Sequence, residues 1–145
     1  MSTPRNTPNS GDDRTMAQWF ALIVGATLVL VGVIGFLANA AFQFGTPHDS
    51  DNLLGIFEVN GIHNLVHIAT GALLLAGAGR ADTAFTVTAI FVAAYALVTI
   101  IGLVQGDTVL GIIPVNAADN VLHIALTLTG VGALLATRSR QTARA

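Results

Sequence analysis

Two short stretches hold most of the side chains that could do chemistry. One carries Asn60, His63, Asn64 and His67; the other carries Asn116, Asp119, Asn120 and His123. In each, Asn, Asn and His stand at i, i+4 and i+7, with a further ionisable group at i+3. On a helix these positions share about a third of the circumference. Side chains four residues apart on a helix can chelate one ion. His63 with His67, and Asp119 with His123, thus form a candidate metal set of three imidazoles and one carboxylate, suited to zinc, copper or iron. Haem is a variant of this reading, with His67 and His123 as opposed axial ligands. The Glu of an H-E-x-x-H pattern is missing, so a hydrolytic zinc site has no support.

The plainer reading of the same residues is architectural, and it leads. Asn60 and Asn116 stand where N-caps would satisfy free backbone N–H groups. Asp119, three residues after Asn116, resembles the second member of a capping box. Asn64, Asn120, His67 and His123 would then bond between helices and fix their register. On this reading the cluster organises the chain or binds a small ligand or partner. It requires no cofactor and assigns no catalytic residue. A transporter or proton relay is a third reading, but no ionisable residue lies deep in any apolar run, so no path is visible.

The two stretches belong to a repeat. Residues 54–69, LGIFEVNGIHNLVHIA, recur at 110–125 as LGIIPVNAADNVLHIA, offset by 56 and identical at nine of sixteen positions. A repeat of this kind decides the fold before any local argument does.

The elements that must position these residues are membrane helices. Of the 145 residues, 53% are hydrophobic and 10% are charged, and there is no cysteine. Disulfides and thiolate metal sites are therefore excluded. A net charge of -2 and the lack of a basic patch argue against nucleic-acid binding. Crossing a bilayer takes about 20 apolar residues. Four runs qualify, at about 17–44, 62–79, 83–105 and 117–137. The first is far longer than the apolar core of a signal peptide and is expected to be retained despite an A-x-A at Ala38-Asn39-Ala40. The fold class is thus all-α, with four transmembrane helices in two tandem hairpins, about 16–80 and 81–138. Because each unit goes out and back, the repeat is parallel, with a pseudo-two-fold axis along the membrane normal. Apolar segments 53–59 and 109–115, too short to span, are expected to be a turn of helix or a re-entrant piece at the outer interface.

All six positive charges fall on one side of this topology: Arg5 and Arg14 before the first span, Arg80 between the second and third, and Arg138, Arg140 and Arg144 after the fourth. The other side carries Asp49, Asp51, Glu58 and Asp107. The positive-inside rule puts both termini in the cytoplasm of a bacterial inner membrane. Residues 1–15, rich in Pro, Asn, Ser and Thr, are expected to be disordered, and 139–145 to form a basic tail. His48 reads as a loop residue, and Trp19 as an interfacial anchor.

The paired motifs resemble one family. Val59-Asn60, His63-Asn64 and His67, with Val115-Asn116, Asp119-Asn120 and His123, look like the pattern of domain of unknown function 4383, a group of four-span bacterial proteins common in actinobacteria. The likeness covers about residues 15–137. It implies the topology and marks the motif as a defined feature, but it implies no activity.

Overall fold

The computed structural model describes residues 14–42 and 51–143. The N-terminal segment expected to be disordered, up to residue 13, and the turn around His48 lie outside the described residues, as do 144 and 145. The chain is mostly helical, with α1 (Met16–Ala38), α2 (Gly61–Gly77), α3 (Ala81–Gln105) and α4 (Ala117–Thr142). Two small antiparallel hairpins separate the members of each pair: β1 (Asp51–Leu53) with β2 (Phe57–Val59), and β3 (Thr108–Val109) with β4 (Ile113–Pro114).

α1, α3 and α4 are long and apolar enough to cross a membrane. α2 is shorter, at 17 residues, or about 26 Å at 1.5 Å per residue. Large apolar side chains cover the outside of the helices, among them Ile23, Leu30, Leu97, Ile100, Val121 and Leu128. An apolar exterior of this extent suits lipid.

The hairpins correct the expectation of a helical turn or re-entrant piece. Each tip places two successive residues in the left-handed region. Leu54 and Gly55 have φ 56° and 72°, and Leu110 and Gly111 have φ 57° and 69°. Such a pair turns the chain back within a few residues, as in a tight hairpin. Gly accepts this conformation freely, whereas Leu does so at a cost. The fold is therefore not purely α.

The first span is also shorter than the expected 17–44. α1 stops at Asn39, whose backbone is extended, and the strand-like segment after it is held by Gly61 N–H donating to the Ala41 carbonyl at 2.8 Å. α4 runs past the expected 137 to Thr142, so the start of the basic tail is helical.

α1 packs along α2, and α3 along α4. Glycines set the closeness of the first pair. A Cβ added to Gly25 would lie 2.9 Å from the Gly71 carbonyl oxygen, and one on Gly71 would lie 2.7 Å from that of Gly25. Small residues of this kind let helix backbones touch. The end of the bundle away from the hairpins has an apolar core built on Phe20, Leu28, Leu74, Phe91 and Ala133. Thr15 and Gln18 close the start of α1 in a capping box. Gln18 also donates to the Ala78 carbonyl, and the Thr137 hydroxyl accepts from Ala17 N–H.

Candidate functional site

The hairpin end of the bundle has a polar core, and it is built from the two motifs. Each Asn at a motif's start does two jobs. Asn60 caps α2 by accepting from His63 N–H at 2.8 Å, while its amide donates to the Ile112 carbonyl at 3.1 Å. Asn116 caps α4 by accepting from the N–H groups of Ala118 and Asp119, while its amide donates to the Ile56 carbonyl at 2.7 Å. Each helix start is thus tied to the tip of the opposite hairpin.

Asn64 and Asn120 pin α2 to α1 and α4 to α3. The Asn64 amide donates to the Asn39 carbonyl at 2.9 Å, and its Oδ1 rests on Gly35 with no hydrogen-bond partner. Asn120 Oδ1 rests on Gly102, likewise without one. Gly35 and Gly102 hold the same position in their helices, since each accepts the final N–H that closes its helix.

Asp119 does not join the histidines. Its carboxylate accepts from Asn116 N–H at 3.0 Å, completing the cap, and from Glu58 N–H at 3.1 Å across the molecule. The expected ligand set of His63, His67, Asp119 and His123 is thereby reduced to its three imidazoles.

Those three come together. His63 and His67 lie one turn apart on α2, with ring centroids 4.5 Å apart, and His123 approaches from α4 at 6.1 Å and 6.4 Å. One ring nitrogen of each lies within 4.8 Å of the others, and no carboxylate joins the group among the described residues. All three side chains are buried, at 2%, 7% and 3% exposure. In each, Nδ1 is buried and has no hydrogen-bond partner. Buried polar atoms are nearly always paired, so three orphans in one place call for an explanation.

The space between the rings is about 20 Å³, lined by the three histidines with Val66, Tyr95, Val98 and Ile113. That is room for a single water or ion, and the opposed-ligand arrangement for haem does not fit there. Tyr95 closes the far side. Its ring meets His123 edge-on at 5.3 Å and stacks on Phe91 at 4.0 Å, and its hydroxyl is 3.3 Å from that of Thr70. Helical spacing assigns Tyr95 no role, although it is the single tyrosine of the chain and stands out in an apolar run. The backbones of Glu58 and Pro114 lie within hydrogen-bonding reach of the His63 ring. Outside the helices, burial pushes the Glu58 carboxyl up from its ordinary range, and the nearby charge of Asp107 adds to the effect.

Long apolar helices closed over a polar centre are the make-up of a helical membrane protein. The chain belongs to the family of domain of unknown function DUF4383, whose model matches residues 18–137. No curated protein and no solved structure matched the chain.

Proposed function

We propose that the protein is a four-span bacterial plasma-membrane protein that holds one metal ion between the imidazoles of His63, His67 and His123, in the outer half of the bundle. The observation that carries this is the convergence of three buried histidines whose Nδ1 atoms all lack partners. The architectural reading accounts for Asn60, Asn116 and Asp119, whose side chains all have partners, and for the Asn64 amide, while the oxygens of Asn64 and Asn120 are seated on glycines without one. It does not account for the imidazoles. Leaving a buried polar group unpaired costs about 1–3 kcal/mol, so a cluster kept only for packing would have little reason to contain three.

A difference between the motif copies supports the same conclusion. His63 stands where the second copy has Asp119, and Pro114 stands where the first has Glu58. Asp119 accepts the N–H of Glu58. At the matching place Pro114 offers no N–H, so position 63 has no such duty, and it carries a ligand-type side chain instead.

The same correspondence supports a tandem parallel repeat about an axis along the membrane normal. The tips match in φ, and both motif asparagines cap and cross in the same way. The arginine distribution supports cytoplasmic termini. α2 and α4 then start below the outer surface, with the three imidazoles within their first two turns.

The test is metal analysis of the full chain purified in detergent, followed by titration with Zn(II), Cu(II) and Cu(I). One equivalent of bound metal, lost in His67→Ala and in His123→Ala, is expected. No stoichiometric binding of any of these ions would overturn the proposal.

A further inference from the structure

At the end of the bundle away from the hairpins, we infer that the protein holds the headgroup of a zwitterionic phospholipid with a primary ammonium, of the phosphatidylethanolamine kind. The site is a cleft between the start of α3 and the end of α4, separate from the histidines and needing no metal. It has a volume of about 480 Å³ and is lined by Asp82, Phe85, Thr86 and Arg138. Small-molecule sites commonly fall at about 300–1,000 Å³. One negative and one positive side chain face the same space, and among the described residues no ion pair joins them.

The two walls ask for different partners. On α3, the Thr86 hydroxyl donates to the Asp82 carbonyl at 3.0 Å, so its oxygen is left as an acceptor. An ionised carboxylate is likewise an acceptor only. That wall therefore suits a cation that carries N–H donors. On α4, the Arg138 guanidinium presents a planar fork of donors that matches a phosphate. A headgroup with both phosphate and primary ammonium satisfies both walls. Phosphatidylglycerol would satisfy Arg138 and be repelled by Asp82. A choline headgroup has the positive charge but no N–H, so the acceptors on α3 would go unmatched.

The cleft lies where a bilayer would meet water. Asp82 is in the first turn of α3, a helix apolar enough to span. At the same end Trp19 is 40% exposed, with the Arg14 guanidinium 5.3 Å from its ring centroid, and tryptophan favours the interface. Leu135 and Val131, three and seven residues before Arg138, are exposed on α4 and continue its face one and two turns deeper. They give acyl chains an apolar track leading from the cleft, which selects a lipid over a soluble phosphate ester.

The experiment is native mass spectrometry of the full, delipidated chain in detergent, titrated with palmitoyl-oleoyl phosphatidylethanolamine, phosphatidylcholine and phosphatidylglycerol. Phosphatidylethanolamine should bind about three- to tenfold more tightly than either of the others, the worth of about one hydrogen bond. Asp82→Asn should erase that preference and strengthen phosphatidylglycerol. Arg138→Gln should weaken all three lipids, and Arg138→Lys should restore most of the loss. Equal binding of the ethanolamine and choline lipids would overturn the ammonium assignment, and tightest binding of phosphatidylglycerol would show attraction by net charge alone. Displacement of bound lipid by equimolar glycerophosphoethanolamine would overturn the lipid as occupant. These three outcomes are read on the unsubstituted chain, so a variant that fails to fold does not blunt them.

Discussion

Asp119 and Glu58 are sixty-one residues apart, yet the Asp119 carboxylate accepts the Glu58 backbone N–H at 3.1 Å while also closing its own helix through Asn116. One side chain thereby fastens α4 to the first hairpin. Asp119→Leu leaves two N–H groups without their acceptor, at about 1–3 kcal/mol each. Asp119→Asn keeps one amide oxygen and should lose less. Thermal unfolding in detergent should rank wild type above Asp119→Asn, and Asp119→Asn above Asp119→Leu. An Asp119→Leu protein as stable as wild type would show that the bond carries no weight.

Glu58 gives a pH dependence of the less common sign. Burial first, and the charge of Asp107 second, push its carboxyl up in the folded state. The folded protein therefore binds more protons than the unfolded chain between the two pKa values. Stability falls as pH rises through that window and is level above it. Glu58→Gln should melt higher than wild type at neutral pH. The gap should close in acid, where Glu58 is protonated in both states. A gap that widens in acid would contradict the assignment.

The asparagine contacts give a steric test. A Cβ on Gly35 would collide with Asn64 Oδ1, and one on Gly102 would lie 2.6 Å from Asn120 Oδ1. Gly35→Ala and Gly102→Ala should each cost about 1–3 kcal/mol, the usual range for overpacking. Gly132→Ala, with nothing within 4 Å of its Cβ, should be neutral or stabilising. Equal melting temperatures for all three would argue against tight seating of the asparagines.

The hairpin tips are strained at exposed leucines. Leu54 and Leu110 have φ 56° and 57° and exposures of 81% and 64%. Left-handed geometry costs an ordinary residue about 1–2 kcal/mol and is easier for asparagine. Leu54→Asn and Leu110→Asn should therefore raise the melting temperature in detergent. If the leucines dip into lipid, the gain should shrink in bilayer nanodiscs.

The arginine asymmetry is tested with reporter fusions. Fusions after Arg80 and Arg144 should report cytoplasm, and fusions near Asp51 and Asp107 the opposite side. A cytoplasmic result at Asp107 would break the four-span topology.

The helices and their caps were open to reading because capping is local. Asn60 and Asn116 stand at their helix starts, and Asp119 sits three residues past Asn116, so spacing alone suggested those bonds. The hairpins were hidden. Their strands are two or three residues long, and a Leu-Gly tip lacks the Asn-Gly or Asp-Gly signature that announces a tight turn. The end of α1 at Asn39 was hidden too, since it depends on Asn64 and Gly61 reaching in from α2. The separation of Asp119 from the three histidines had the same cause. Helical spacing puts Asp119 and His123 on one face, but a distant N–H at Glu58 claims the carboxylate and leaves the imidazoles to one another.

The crossed bonds from Asn60 to Ile112 and from Asn116 to Ile56 have the form of an isologous contact, in which a surface is complementary to itself. A chain of half this length would carry both sides of that contact and could satisfy it by pairing with its own copy. Such a pair would be bound to symmetry, with the same residue at positions 63 and 119. Joining the halves in one chain lifts that obligation. One half can place Asp119 on holding the assembly together while the other carries His63 at the matching position, an asymmetry that two identical half-length chains could not have.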